Sequence, residues 1–196
     1  MTTNYTSFIP LLRGPVPLSH LIINRFLQKG DSAVDATCGN GHDTLLLAGL
    51  VGETGKVWAF DIQEQAINQT SRRLLEAGLK ERVSLLQEGH ETMAEHVCPG
   101  QAAVMFNLGY LPGGDQSIIT QPETTLTAFG HALELLRPGG VLAVTIYPGH
   151  DGGASERRTV DGWAAGLAPQ VYHAWRMGQL NVPSDAPYFV LVQKTF

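Results

Sequence analysis

Short continuous apolar runs alternate along this chain with stretches whose apolar positions recur every three or four residues. The runs predict buried strands at about 32–37, 56–62, 83–88, 102–108 and 140–147, and the periodic stretches predict helices at about 42–50, 63–77, 91–97 and 121–136. Ahead of them, a proline-rich entry (Pro10, Pro15, Pro17) leads to a helix over His20 to Gln28, with Ser19 as its cap and Leu21, Ile22, Phe26 and Leu27 facing inward. Arg137-Pro138-Gly139-Gly140 reads as a helix stop and turn before the fifth strand. The order then changes. A helix containing Trp163 is followed by two β-rich runs, Val171 to Met177 and Tyr188 to Thr195, joined by the turn-forming segment Asn181 to Pro187. Strands alternating with helices predict an α/β fold, a Rossmann-like, doubly wound, mostly parallel seven-stranded sheet closed by a C-terminal antiparallel hairpin. Strand order stays open at this level.

Composition narrows the class. At 196 residues and 43% hydrophobic content, one domain spanning 1–196 can bury a full core. No apolar run approaches the roughly 20 residues of a membrane span, and the N-terminus, with Asn4, Arg13 and several prolines, lacks a signal-peptide core, so a cytoplasmic location without membrane attachment is expected. Cys38 and Cys98 are the only cysteines and predict free thiols, with no disulfide framework and no metal ligand set. A net charge of -5 gives no general attraction to nucleic acid, so polynucleotide contact would have to be local. Candidate basic groups are Arg13, Arg25 and Lys29, then Arg72, Arg73, Lys80 and Arg82, and Arg157 with Arg158; each set also reads as a solvated face.

The candidate chemistry sits where strands end. After the first strand, Gly39 and Gly41 permit a sharp turn into a helix, and Asp61 closes the second strand 26 residues after Asp35, where a carboxylate can accept both ribose hydroxyls of an adenosine. A three-glycine dinucleotide fingerprint would need glycine at position 44, where Thr44 stands. Asp43 places a carboxylate at the helix end that a pyrophosphate would occupy. These carboxylates suit a cationic sulfonium with an amino-acid tail, which points to S-adenosylmethionine. At the tip of the fourth strand lies Asn107-Leu108-Gly109-Tyr110-Leu111-Pro112-Gly113-Gly114-Asp115. Strands one and four should flank one crevice in a doubly wound sheet, and the amide of Asn107 would there accept a hydrogen bond from an attacking amine. The end of strand five carries Tyr147-Pro148-Gly149-His150, in which Tyr147 or His150 could hold a base or accept a proton. Gly89-His90, after strand three, falls where an adenine ring packs. His20, His96, His131 and His173 read as structural or exposed.

Four blocks carry a family resemblance over nearly the whole chain: Asp35 to Thr44, Phe60 to Gln63, Phe106 to Asp115 and Tyr147 to His150. With them the chain resembles the small bacterial methyltransferases labelled "putative rRNA methylases", departing in a longer N-terminal segment, Met1 to Pro17. In the third block Asn-Leu-Gly-Tyr replaces the Asn-Pro-Pro-Tyr signature of common amino-methylating enzymes. The resemblance implies the class I methyltransferase fold, S-adenosylmethionine as donor, and, for characterised members, methylation of the aminomethyl group on the tRNA wobble 2-thiouridine. The partner it implies is therefore the anticodon region of tRNA. Carried onto these blocks, the donor would be held by Asp35, Thr37, Gly39, Asn40, Gly41, His42, Asp43, Asp61, Ile62, Gln63 and Asn107, with Gly89 and His90 added from their place after strand three. The substrate would meet Leu108, Gly109, Tyr110, Asp115, Tyr147 and His150, with Asn107, Tyr147 and His150 in the chemistry. A homodimer is a further expectation, since two copies could extend a local basic surface.

Alternatives remain at this level. A nicotinamide oxidoreductase would share the fold and Asp61 but leaves the Asn107 block unexplained, a non-catalytic nucleotide-binding protein would need no acceptor, and a methyltransferase could act on another RNA, a protein or a small-molecule amine.

Overall fold

In a computed structural model, which describes residues 11–115, 117–149 and 153–196, the apolar runs become β1 (Ser32–Asp35), β2 (Lys56–Phe60), β3 (Val83–Leu86), β4 (Gln101–Asn107), β5 (Leu136–Ile146), β6 (Tyr172–Gly178) and β7 (Tyr188–Lys194). They form one sheet in the order β3-β2-β1-β4-β5-β7-β6. The first five pair in parallel, and β7 runs antiparallel between β5 and β6. Gln101 to Phe106 are all buried because helices cover both faces of β4, which is why this run shows no alternation. The Rossmann-like sheet with a closing hairpin is present as the pattern predicted.

The helices are α1 (Pro15–Phe26), α2 (His42–Val51), α3 (Glu64–Glu76), α4 (Met93–His96), α5 (Pro122–Leu135) and α6 (Gly153–Ala165). Ile23, Leu47, Ala48, Val51 and Leu74 pack α1, α2 and α3 against one face of the sheet, around Ala33, Val57 and Ala103. Met93, Phe129, Ala132 and Val160 pack α4, α5 and α6 on the other, around Val34, Val104 and Val144. Between β1 and β4 the chain passes to opposite sides, so the carboxyl ends of these neighbours bound a crevice. Among the described residues no helix is long and apolar enough to cross a membrane.

Three predicted boundaries are corrected. α1 begins at Pro15, where a missing N–H costs nothing in the first turn, and Ser19 lies one turn inside, its Oγ donating to the Val16 carbonyl at 2.8 Å instead of capping. Leu27 is buried, and Ile22 and Phe26 pack partly buried against the core as predicted, but Ser19 and Ile23 are buried too and Leu21 is exposed. The Pro138-Gly139-Gly140 segment does not precede β5 but lies within it, where Leu136 pairs with Gln101 and Val141 with Ala103 across an irregular bulge. The predicted helix at 91–97 is a 3-10 turn, His90–Thr92, running into the single turn of α4.

Candidate active site

A cleft of about 600 Å³ opens at the carboxyl ends of β1, β2, β3 and β4. Its floor is the turn after β1. Gly39 and Gly41 have φ of 48° and 82°, a region open to glycine at little cost. At Gly41 the close neighbour is Thr70 of α3, whose side-chain oxygen would lie 2.7 Å from an added Cβ; that hydroxyl donates to the Gly39 carbonyl at 3.0 Å. Helix α3 thus clamps the turn from behind. Asp35 sits under it, wholly buried, accepting from Thr44 Oγ1 at 2.6 Å and from the Thr37 amide at 3.3 Å. Burial, and then the charge of Asp43, push the Asp35 carboxyl up to about 7. Burial also pushes the Cys38 thiol up, so Cys38 stays protonated and is no nucleophile.

Asp43, in the first turn of α2, is buried and bridges two elements. Its Oδ1 lies 2.6 Å from Nε2 of His20 on α1, and its Oδ2 accepts from Nδ2 of Asn107 at 2.5 Å. The backbone amide of Asn107 donates to Thr37 Oγ1 at 2.7 Å. With its nitrogen committed to a carboxylate, the Asn107 amide is fixed in orientation, and Oδ1 is the half of it left to receive a donor. Sequence alone offered no sign of the His20 link, because the helix pattern did not place α1 over the crevice.

On the β2 side, Asp61 accepts the Gly39 amide at 3.0 Å and the Gln63 amide at 2.9 Å, one at each oxygen. Each oxygen keeps a lone pair for a further donor. Burial raises its pKa more than these two bonds lower it. Ile62 beside it is 56% exposed and lines the cleft. His90 is buried edge-on to Phe106, with 5.5 Å between ring centroids, and its Nε2 has no hydrogen-bond partner. Burial lowers its pKa, so the ring is neutral. Glu88 and Glu91 also line this side; neither was predicted, although Glu88 stands just past the end of β3, where ligand groups of this fold gather.

The loop after β4 forms the far wall. Gly109, at φ 135°, exchanges bonds with Thr120: its amide donates to Thr120 Oγ1 at 2.9 Å and its carbonyl accepts the Thr120 amide at 3.0 Å. Thr120 Oγ1 in turn donates to Glu156, buried in the first turn of α6, at 2.5 Å. Asn40 Nδ2 donates across the cleft to the Pro112 carbonyl at 3.1 Å, tying this wall to the floor. Tyr147, at the end of β5, is half-buried, and burial followed by the charge of Asp43 pushes its phenol up to about 12. It therefore keeps its proton at neutral pH and offers the cleft an O–H group.

Of the predicted site residues, Thr37, Gly39, Asn40, His42, Asp43, Asp61, Ile62, Gln63, Gly89, His90, Asn107, Leu108, Gly109, Tyr110 and Tyr147 line the cleft. Asp35 and Gly41 do not; they act on the turn from beneath, the first through Thr44 and Thr37 and the second by admitting Thr70. Asp115 also stands apart, its carboxylate held by the amide and hydroxyl of Ser117. His150 lies outside the described residues. Besides Glu88 and Glu91, sequence reasoning missed Val16 of α1 and the run Ile118 to Gln121 with Thr124, which carry no chemistry-bearing pattern.

The model of the family described as "Putative rRNA methylase" matches residues 57–193. The "tRNA (mnm(5)s(2)U34)-methyltransferase, chloroplastic" of Arabidopsis thaliana is 42% identical over 188 residues, covering 90% of this chain and 68% of that protein. A crystal structure of an rRNA-methylase relative from Clostridium thermocellum superposes with a TM-score of 0.91 at 43% identity, covering 94% of this chain and 100% of its own. A Streptococcus mutans methyltransferase solved in complex with SAH gives 0.85 at 39% identity, covering 94% and 99%. With its matched blocks, its class I sheet and its cleft in place, the chain belongs to this rRNA-methylase family and is an S-adenosylmethionine-dependent methyltransferase.

Proposed function

We propose that this enzyme methylates a primary amine, and that the amine is the aminomethyl group on the wobble 2-thiouridine of tRNA. The observation that carries the amine is Asn107. Its Nδ2 is held by Asp43 at 2.5 Å, so what it offers the cleft is an acceptor oxygen, matched to an N–H donor. The tRNA reading is supported by the name of the Arabidopsis thaliana relative.

The residues present fit the donor. The cleft volume is in the range of ordinary cofactor sites, Asp61 keeps one lone pair per oxygen for two ribose hydroxyls, exposed Ile62 offers an apolar face to an adenine, and the orphaned His90 Nε2 a polar contact at its edge. S-adenosylmethionine supplies an electrophilic methyl on a sulfonium. For the rest, Asn107 Oδ1 accepts an N–H of the amine and aims its lone pair, and Asp43 keeps the amide from turning. Tyr147 contributes a phenol to the same rim. Among the described residues the lining includes Asp43, Asp61, Glu88 and Glu91 and no Lys or Arg, which receives cationic groups and disfavours anionic ones. An alkyl ammonium must shed a proton before it attacks, so positioning and partial desolvation are the main contributions of these walls.

The test is transfer of one labelled methyl from S-adenosylmethionine to tRNA purified from a strain lacking this enzyme, followed by nucleoside mass spectrometry. One methyl gained on a wobble uridine is expected; label confined to other nucleosides overturns the assignment. A second reading, a small-molecule or protein amine, is favoured by the net charge of -5 and would leave all tRNA unlabelled.

A further inference from the structure

We infer that His20, on the N-terminal helix, is a positioning residue of this active site, holding Asp43 so that Asp43 holds the Asn107 amide. The chain of contacts is short. His20 Nε2 lies 2.6 Å from Asp43 Oδ1, and the other oxygen of that carboxylate receives Asn107 Nδ2 at 2.5 Å. A carboxylate bonded at one oxygen alone can rotate about its terminal torsion, whose preference is broad. Bonded at both, it presents Oδ2 in one direction, and the amide that donates to it takes one orientation.

The placement is not incidental to packing. α1 lies against β5, β7 and α2, and Val16, one turn before His20, lines the cleft. Helix α1 is therefore a wall of the site as well as a cover for the sheet. It precedes Val57, where the family match begins. The hydrogen bond to Asp43 is the polar contact by which His20 reaches the site, so its effect passes through that carboxylate.

The inference rests on the amine-methylating reading for its kinetic consequence but not for its geometric one, and the test uses both. His20→Ala removes the bond, and His20→Gln restores an N–H donor at nearly the Nε2 distance from the backbone. Single-turnover methylation of the same tRNA at saturating donor should slow roughly tenfold in His20→Ala, the value of one hydrogen bond to a charged group, and recover most of that in His20→Gln. The dissociation constant for S-adenosylhomocysteine should stay within about threefold in both, since the loss belongs to the chemical step. Independently of any RNA, the Asn107 side-chain amide signal in a 1H–15N spectrum should move in His20→Ala and return in His20→Gln. An unmoved signal overturns the inference even if tRNA proves not to be the substrate. A moved signal with an unchanged rate, or a rate that Gln fails to rescue in a protein of normal thermal stability, overturns it as well. Failure of wild-type enzyme to methylate tRNA bears on the proposed function alone.

Discussion

Replacing Asp61 tests the donor pocket most directly. Each of its oxygens already accepts one backbone N–H, from Gly39 at 3.0 Å and from Gln63 at 2.9 Å. Each therefore has one acceptor position left, which matches the two hydroxyls of a ribose. A hydrogen bond to a charged acceptor contributes about 1.5–3 kcal/mol net, and Asp61 is partly open to solvent, so the lower end applies. Asp61→Ala should weaken binding by about 2–3 kcal/mol, or about 30- to 150-fold. Asp61→Asn is no conservative control, because its NH₂ would face one of the two backbone N–H groups and leave two donors opposed; the expected loss is nearly as large. Calorimetric titration with S-adenosylhomocysteine measures both, with thermal melting to confirm the fold. A dissociation constant within about twofold of wild type in Asp61→Ala would refute the ribose assignment.

Three other outcomes follow from the same geometry. Asn107→Ala should lower single-turnover methylation about 100-fold, the cost of losing alignment, with donor affinity nearly unchanged; Asn107→Asp, which sets a second carboxylate against Asp43, should do no better, and a collapse of donor affinity with normal chemistry would reverse the assignment. Tyr147→Phe should give a loss that is the same across neutral pH, because its phenol is pushed up to about 12, and a loss that changes with pH in that range would make Tyr147 a proton acceptor after all. Asp35, pushed from an ordinary carboxylate value up to about 7, holds a proton in the folded state that the unfolded chain releases. Its contribution to stability is complete below the unfolded pKa and disappears as pH rises through about 7. Asp35→Asn should flatten that part of a stability profile from urea titrations, and parallel profiles would show that Asp35 is ionised throughout.

How much of this was readable in advance varies with the physics behind each feature. Buried parallel strands leave continuous apolar runs, so β1 through β5 and the closing hairpin were visible, and the rule that ligands gather beyond strand ends located Asp61, His90 and Asn107. Contacts between elements distant in sequence were not visible. His20 and Asp43 are 23 positions apart and meet because α1 packs beside α2 against the sheet. Asp35 and Gly41 stood in a recognisable motif, yet the motif could not distinguish a residue that faces the ligand from one that supports the turn. Ile118 to Gln121 line the cleft through loop geometry, which leaves no periodic trace.

The position of β7 has a consequence for how the molecule is made. The sheet order places β7 between β5 and β6, so the strand synthesised last of the seven is an interior one, buried from Tyr188 to Val192. Until it emerges, β5 presents a long apolar strand with one edge unpaired, and β6 has no neighbour at all. Such edges recruit other chains, and α6 alone separates this one from β6 in the growing polypeptide. Folding during synthesis can therefore assemble the donor half, β1 through β4, well before the sheet closes. A nascent chain halted before Tyr188 would be an aggregation hazard with much of its donor-binding half already formed, and chaperone dependence should be concentrated in that interval.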